Sequence, residues 1–303
     1  MNEFIKILPE IQDALDAGRP VVALESTIVA HGMPYPQNLE TAKRLESIVR
    51  SGGAVPATVA VMGGKLQIGC SDSDLKALAT ESEVLKVSRR DLPLALARKA
   101  LGATTVSGTL IGCELAGIRV FATGGIGGVH RGAEETWDVS ADISELAASS
   151  VAVISAGAKS ILDLPKTLEA LETAGVTVVG FGTDEFPAFF TRSSGLMAPH
   201  RVDSAEEMAA AMKAKWALGL AGGFLVANPI PSNFSADPKL IQEAIELGLK
   251  AAISQGVTGK DLTPFLLRFV NEQTKGKSLE SNRALVEDNV RVGTAIAAAY
   301  AGV

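Results

Sequence analysis

The chain has 303 residues, of which 47% are hydrophobic and 20% are charged, so it is long enough and apolar enough to bury a full core. Its 28 Lys and Arg residues against 34 Asp and Glu residues give a formal net charge of −6, without any block of five like charges. This balance argues against a surface that binds nucleic acid polymers, although one lysine and a few backbone amides can still hold a single phosphate.

The N-terminus and the two cysteines bear on where the protein works. The first residues, 1–6, carry an acid early and are not followed by a long apolar run, which is unlike a secretory signal. No segment, including the Ala-rich one at 295–301, is apolar for long enough to span a bilayer. Cys70 and Cys113 are too few for a metal cluster and are expected to be small buried residues. We therefore expect a soluble, cytoplasmic protein that does not bind membranes.

Short β-branched runs alternate with helical patterns along the chain, which is typical of βα units around a mostly parallel sheet. Gly63 and Gly64 permit the positive φ angles of a tight turn, so the runs beside them should form a hairpin and make the sheet mixed. The pattern predicts an α/β fold in a single domain over 1–303. The predicted strands are 20–24, 58–62, 66–69, 84–88, 104–106, 120–123, 151–155, 176–181 and 224–227. The predicted helices are 38–51, 91–101, 163–174, 205–218, 238–255 and, closing the fold, 281–302.

Polar residues follow several predicted strands at the point where each strand ends. Glu25, Thr123, Lys159 and Asn228 occupy such positions. In open α/β sheets, ligands bind beyond the carboxyl ends of the strands, because helix N-termini and loop amides converge there. We therefore expect an acid, a hydroxyl, an amine and an amide around one cavity, which is the predicted active site.

Lys159 is the candidate nucleophile of this site. It follows the strand predicted at 151–155 and the small residues 156–158, which let a ligand approach the backbone. Burial disfavours the ammonium form of such a lysine and frees its lone pair for attack on a carbonyl or anomeric carbon. From the spacing alone, a surface lysine in a strand-to-helix turn remains the alternative.

Asp138, Ser140 and Asp142 recur at a spacing of two. In an extended segment all three side chains point the same way, and one carboxylate with waters could bind Mn²⁺ or Mg²⁺. Alternatively, Ser140 or Asp142 caps a helix that runs over 143–148. No cluster of Cys or His lies near, which argues against zinc.

Several other residues have both a functional and a structural interpretation. Lys86, inside the predicted strand 84–88, is either an edge lysine that extends to solvent or an ammonium directed at an anionic substrate. The glycine-rich segment 122–132 allows close approach of a ligand to the backbone, but it lacks the GxGxxG spacing of dinucleotide sites. Within and before it, His130 and His31 could contact substrate or serve the local structure.

Five segments of the chain together match one family in order along the sequence. They are VALESTIVAHGMP at 22–34, KVSRRD at 86–91, the stretch 124–142, AGAKS at 156–160 and VANPIP at 226–231. They resemble the pseudouridine-5'-phosphate glycosidase family, also called indigoidine synthase A-like, and the similarity continues to 263–267 and 281–282. The resemblance implies a three-layer α/β/α sandwich and reversible cleavage of the C–C glycosidic bond of pseudouridine 5'-phosphate to uracil and ribose 5-phosphate.

The same resemblance implies roles for individual residues. Lys159 is similar to the family's nucleophile, which forms an imine with the ring-opened sugar, Glu25 to its proton donor, and Asp138 to the ligand of one Mn²⁺ per subunit. The resemblance also implies a homotrimer, with which the Ala-rich closing helix and a mean hydropathy of +0.24 are compatible. The implied substrate-binding positions are Lys86, Val106, His130, Ser140, Ala141, Asp142 and Asn282, to which the strand-end position adds Thr123.

Two other functions remain open at this point. A class I aldolase-like enzyme acting on another sugar phosphate would use the lysine but would not need a pocket for a base. A nucleotide-binding module without catalysis would use the glycine-rich segment alone, and it would leave Glu25 and Lys159 without a role.

Overall fold

The structure, a computed structural model, describes residues 2–302; Met1 and Val303, at the ends of the predicted domain, lie outside this range. Among the described residues, eleven strands form one sheet. The strands are Ile5–Ile7 (β1), Val21–Leu24 (β2), Val55–Met62 (β3), Lys65–Ile68 (β4), Leu85–Val87 (β5), Gly102–Thr104 (β6), Val120–Ala122 (β7), Ala152–Ser155 (β8), Thr177–Phe181 (β9), His200–Val202 (β10) and Phe224–Ala227 (β11).

Helices flank this sheet. They are Pro9–Asp16 (α1), Thr27–His31 (α2), Gln37–Ser51 (α3), Asp72–Thr80 (α4), Leu92–Ala97 (α5), Val106–Ala116 (α6), Ala133–Thr136 (α7), Ala141–Ala148 (α8), Leu164–Thr173 (α9), Ala205–Ala217 (α10), Pro238–Ser254 (α11), Leu262–Gln273 (α12) and Lys277–Ala301 (α13). Short 3₁₀ turns occur at Ser232–Phe234 and Gly259–Asp261. Among residues 2–302, no helix combines the length and the apolar character that crossing a membrane requires.

The sheet is mixed and mostly parallel, as predicted. Its strand order is β1-β4-β3-β2-β7-β8-β11-β9-β10, with β6 pairing to β3 and β5 pairing to β6. Strand β3 runs antiparallel to β4 and β6, and the other pairs are parallel. The predicted hairpin is confirmed, because Met62 pairs with Lys65 across Gly63 and Gly64, whose φ angles are 57° and 79°.

The central strands place their carboxyl ends side by side. Strands β2, β7, β8 and β11 are buried along their whole length, as expected for parallel strands covered on both faces. Helix α13 packs on β2, β7 and β8, while α6 packs on β2, β3, β4, β6 and β7. The result is the α/β/α architecture that the resemblance implies. The loops that leave β2, β7 and β8 therefore start at one edge of the sheet.

One predicted strand was misplaced, and several elements of the structure were not predicted. The strand predicted at 104–106 is β6 at Gly102–Thr104; Thr105 instead caps α6, since its hydroxyl accepts a hydrogen bond from Gly108 N at 3.4 Å. The structure also contains elements that were not predicted, among them β1, β10, α1, α4, α6 and α12. Strands β1 and β10 have three residues each, too few for a period-two pattern. Cys113 is buried as expected, whereas Cys70 is only partly buried, and both are free.

Candidate active site

A cavity of about 480 Å³ lies at the carboxyl ends of β2, β7 and β8. Its walls come from the loops that follow these strands, from the first turns of α6 and α8, and from α12 and α13. All the predicted site residues except Thr123 and Asn228 line it: Glu25, Lys86, Val106, His130, Asp138, Ser140, Ala141, Asp142, Lys159 and Asn282.

Glu25 and Thr123 are adjacent because their strands are paired. Leu24 of β2 pairs with Ala122 of β7, so the next residue of each strand leaves the sheet at the same place. The Thr123 hydroxyl donates a hydrogen bond to the Glu25 carboxylate. Although Glu25 faces the cavity, protein surrounds it, and this burial raises the pKa of its carboxyl; the nearby Lys159 ammonium and the Thr123 hydroxyl oppose the rise. A carboxyl that keeps its proton toward neutral pH is suited to general-acid catalysis.

Lys159 faces the same cavity from the loop after β8. Its Nζ donates a hydrogen bond of 2.6 Å to Gly125 O, and its backbone N–H donates to Ile126 O at 3.1 Å. The glycine-rich loop and the lysine loop are therefore joined directly. Lys159 is partly buried and lines the cavity rather than the outer surface.

A glycine is required at position 125 for this arrangement. A Cβ atom there would lie 2.6 Å from Cδ2 of Phe189, a buried ring that also lines the cavity. Phe189 has a φ angle of 63°, unusual for an aromatic residue, and its N–H donates to Ala156 O at 3.0 Å. The ring therefore packs tightly against the segment that accepts the lysine's hydrogen bond.

Lys86 adds a second cation to the cavity. It lies at the centre of β5, which pairs with β6 just before α6 begins. Burial lowers the pKa of its ammonium, as does the positive charge of Lys159, while Glu25 and Asp142 act in the opposite direction. Lys86 thus points into the site and does not extend away from it.

The run Asp138, Ser140 and Asp142 does not form one extended face. Ser140 caps α8, its hydroxyl accepting from Asp142 N at 3.2 Å, so the helix-cap interpretation is correct for this residue. The Asp142 carboxylate is buried and accepts from Ser107 N at 2.9 Å and from Gly127 N at 2.7 Å. It therefore links the first turn of α6 to the glycine-rich loop.

The N-termini of α6 and α8 both open onto the cavity, next to Lys86. Unpaired backbone N–H groups and the helix dipole make such ends favourable for an anion. A nearby ion pair, not predicted from the sequence, supports them: Arg89 donates to the buried Glu145 on α8 at 2.7 and 2.5 Å, and Ser107 Oγ donates to the same carboxylate at 3.3 Å. Arg89 itself is exposed, whereas its partner Glu145 is buried and lies 56 positions along the chain.

Asp138 stands at the mouth of the cavity and is about a third exposed, at 34% of its side chain. Its Oδ2 lies 4.0 Å from Nδ1 of His130, whose imidazole pKa is lowered mainly by burial. Among residues 2–302, no three His, Cys, Asp or Glu side chains converge as a metal cluster. One carboxylate oxygen with open space beside it fits a hard cation that keeps most of its waters, and does not fit a closed site.

Two of the remaining candidates line the cavity, and the third lies behind it. Asn282 lines the cavity near Gly124, where a Cβ atom would lie 3.5 Å from Asn282 Oδ1. His31 also lines it; its Nε2 is buried without a hydrogen-bond partner, and burial lowers its pKa. Asn228 was expected to line the cavity but does not. Its side chain turns toward α13 instead, where it donates to Asn289 Oδ1.

Comparison with known proteins places this site in a family. The family model for indigoidine synthase A-like proteins matches residues 10–299. The chain belongs to this family. It is 58% identical over 297 residues to the pseudouridine-5'-phosphate glycosidase of Caldanaerobacter subterraneus subsp. tengcongensis, covering 98% of this chain and 97% of that one. It is 54% identical to the protein of the same name from Geobacillus kaustophilus, covering 98% and 99%.

Solved structures agree with this assignment. An indigoidine synthase A-like protein from Thermotoga maritima superposes with a TM-score of 0.88 at 35% identity, covering 98% of this chain and 97% of that one. The prealnumycin C-glycosynthase AlnA, solved in complex with ribulose 5-phosphate, superposes with a TM-score of 0.92 at 38% identity, covering 100% and 98%. The resemblance and the fold inferred from the sequence segments are thereby confirmed.

Proposed function

We propose that this chain reversibly cleaves the bond between C5 of uracil and C1' of the sugar in pseudouridine 5'-phosphate, giving uracil and ribose 5-phosphate. The observation that carries this proposal is the convergence of Lys159, Glu25 and two helix N-termini on one cavity. It is supported by relatives named for this activity, and by a structural neighbour that forms a C-glycoside and was solved with a pentose phosphate.

The bond to be broken explains why a lysine is needed. An ordinary nucleoside loses its base through nitrogen, whereas here a carbon atom of uracil must leave, and a carbanion is a poor leaving group. Two carboxylates acting as in a simple glycosidase would give too little assistance. An amine that becomes an imine on C1' supplies an electron pair that can replace the breaking bond.

These residues suit the following order of chemical steps. Glu25 donates a proton to the ring oxygen, the bond between C1' and that oxygen breaks, and Nζ of Lys159 bonds to C1'. The ammonium formed on Nζ returns a proton to the Glu25 carboxylate, which restores the nitrogen lone pair, and C5 of uracil is protonated in turn. The C1'–C5 bond then breaks; its electron pair stays with uracil, and the nitrogen lone pair forms the C1'=N double bond. Water then hydrolyses the imine and releases ribose 5-phosphate and the free lysine. One water is consumed overall, and the uracil carbonyls share the developing charge.

The phosphate is proposed to bind where α6 and α8 begin. Val106 and Ala141 are the first residues of these helices, whose N-termini favour an anion, and Lys86 adds a positive charge. The N–H groups of Ser140 and Asp142 already donate to Gly128 O and to Ser140 Oγ. Because the Asp142 carboxylate is held by two backbone amides, its role is to fix the positions of these groups. Asn282 and His130 remain the candidates for contact with the base and sugar.

Asp138 is proposed to hold one Mn²⁺, with waters as the other ligands. When bound there, the ion would supply positive charge and ordered waters beside the substrate. Removal of metal by a chelator should abolish uracil release, and Mn²⁺ should restore it in the unaltered chain but not in Asp138→Asn. Full activity in the metal-stripped protein would contradict this assignment. The homotrimer and the cytoplasmic location stay predictions, the first testable by sedimentation.

The deciding experiment is the release of uracil from pseudouridine 5'-phosphate by the purified chain. Uridine 5'-phosphate, with an N-glycosidic bond, and pseudouridine, without the phosphate, are the matched substrates, and both should react far more slowly. Lys159→Ala should abolish release. In the aldolase-like alternative, consumption of ribose 5-phosphate would not depend on uracil, and in the non-catalytic alternative Lys159→Ala would change nothing that is measured. Absence of uracil release from pseudouridine 5'-phosphate would refute the proposal.

A further inference from the structure

A buried asparagine on α13 holds the backbone at the end of β7. Asn289 is fully buried, and its Nδ2 donates to Thr123 O at 2.8 Å and to Gly124 O at 3.3 Å. Its Oδ1 accepts from Asn228 Nδ2 at 3.1 Å, and Asn228 also donates to Asp288 Oδ2 at 2.9 Å. The two polar atoms of the Asn289 amide thus make three hydrogen bonds, and the amide cannot rotate without losing them.

The two carbonyls belong to the turn that enters the glycine-rich loop. Thr123 N donates to Ile154 O at 2.9 Å, so this residue still continues the sheet, and Ala156 N donates to Gly124 O at 2.9 Å. Asn289 therefore binds the backbone where strands β7 and β8 diverge. Its hydrogen bond with Asn228 also connects it to the residue that follows β11. Helix α13 fixes the orientation of the Thr123 peptide from behind the cavity.

The orientation of this peptide decides where the Thr123 hydroxyl points. Threonine is β-branched, so its χ1 angle is restricted and the hydroxyl direction follows from the backbone. The hydroxyl donates to Glu25, the carboxyl that Lys159, Lys86 and Asp142 also face. A displaced Thr123 would leave the carboxyl without this donor.

We propose that Asn289 is a positioning residue for the proton donor, acting through the Thr123 carbonyl and hydroxyl on Glu25. This inference rests on the proposed function for its kinetic readout. In this proposal Asn228 orients the Asn289 amide. The position of Asn228 after β11 had instead predicted contact with the cavity. Neither asparagine lines the cavity, so both act without touching substrate.

The test compares the pH dependence of kcat/KM for uracil release in four proteins. The unaltered chain should lose activity on the alkaline side as Glu25 loses its proton. Thr123→Val keeps the branched shape but removes a donor that favours the carboxylate, so the pKa of Glu25 rises and the alkaline limb should move up by about one pH unit. Asn289→Leu should move the limb in the same direction and lower kcat about tenfold. The double variant should move it no further than Thr123→Val alone.

Other outcomes overturn the inference. Loss of activity in Asn289→Leu with an unmoved limb would mean a merely structural role, and additive shifts in the double variant would mean that the two residues act independently. Thr294→Val, a buried change on the same helix at a hydroxyl that donates to Val290 O, should leave the limb in place; a shift there would also overturn the inference. If Asn289→Leu does not fold, Asn289→Ala, which leaves room for a water, replaces it.

A second measurement does not depend on activity. The carboxyl of Glu25 can be titrated by infrared difference spectroscopy, with Glu25→Gln assigning its band. Both Thr123→Val and Asn289→Leu should raise the pH at which the carboxylate band appears, and an unchanged titration in Asn289→Leu would overturn the inference. Failure of the unaltered chain to release uracil would instead refute the proposed function, so the two failures are distinguishable.

Discussion

Replacement of Asp142 by asparagine tests how the cavity walls are held together. The carboxylate of Asp142 is buried and accepts from Ser107 N at 2.9 Å with one oxygen and from Gly127 N at 2.7 Å with the other. Asparagine has the same shape but offers one oxygen and one NH₂ group. In Asp142→Asn, one of the two backbone N–H groups therefore faces another donor, and the link between α6 and the glycine-rich loop is lost.

The expected magnitude follows from these two bonds. A buried donor left without a partner costs about 1–3 kcal/mol, and the remaining bond is weakened because its acceptor is no longer charged. We expect a loss of about 2–4 kcal/mol in the free energy of unfolding, which corresponds to about 3–6 °C in melting temperature for a chain of this size. A displacement of the loop by about 1 Å should reduce kcat/KM about 100-fold.

The assay combines thermal unfolding by circular dichroism with uracil release well below the melting temperature. Asp74→Asn is the matched control, because the partly exposed Asp74 carboxylate also accepts two hydrogen bonds, from Ser71 N and Gln67 Nε2, far from the cavity. This control should lower stability by about 1 kcal/mol and leave uracil release intact. Wild-type melting temperature and activity in Asp142→Asn would refute the reasoning, and lost activity with unchanged stability would point to direct substrate contact.

Three further changes have defined outcomes. Glu25→Gln should lower kcat by about 10²- to 10⁴-fold without lowering the melting temperature, because burial already disfavours the charged carboxylate; a large drop in stability would contradict this. Gly127→Ala should lower stability by about 1–3 kcal/mol and reduce uracil release, since the new Cβ would lie 2.7 Å from Ser140 Cβ and 2.8 Å from Asp142 Oδ2; an unchanged unfolding curve would contradict it. Lys86→Met should raise KM for pseudouridine 5'-phosphate at least tenfold, about the effect of one lost charged contact, while pseudouridine is affected little; equal effects on the two substrates would show that Lys86 does not serve the phosphate.

The strand-end positions of the site could be predicted because the central strands are nearly continuous apolar runs. Strands β2, β7 and β8 were recognised from such runs; Glu25 and Thr123 follow β2 and β7 directly, and Lys159 follows β8 after three small residues. Parallel pairing then brings these ends together whatever the rest of the fold does. Lys86 was recognised for a related reason, as a cation within an apolar strand.

Local pattern could not decide the conformation of other elements. Helix α6 is buried from Val106 to Gly112 on nearly every side, so it lacks the polar face that gives a helix its period. The alternation of Asp138, Ser140 and Asp142 is compatible with a strand and with a helix start, and only the amides of Ser107 and Gly127 fix where Asp142 points.

The other residues that the sequence did not predict make contacts with residues far away along the chain. Asn289 meets Thr123 across 166 positions of the chain, and Glu145 meets Arg89 across 56. Nothing in the neighbouring sequence of either residue indicates its partner. Both are buried polar groups, and their partners are set by the packing of α13 and α8, which only the folded structure determines.

Covalent trapping on Lys159 tests the central claim most directly. The protein is incubated with ribose 5-phosphate, reduced with borohydride and digested, and the modified peptide is identified by mass spectrometry. The account predicts one reduced sugar-phosphate adduct on Lys159, absent without reduction and absent from Lys159→Ala, with Lys86 unmodified although it faces the same cavity. An adduct on Lys86 or any other lysine, or no adduct in a protein that releases uracil, would contradict it.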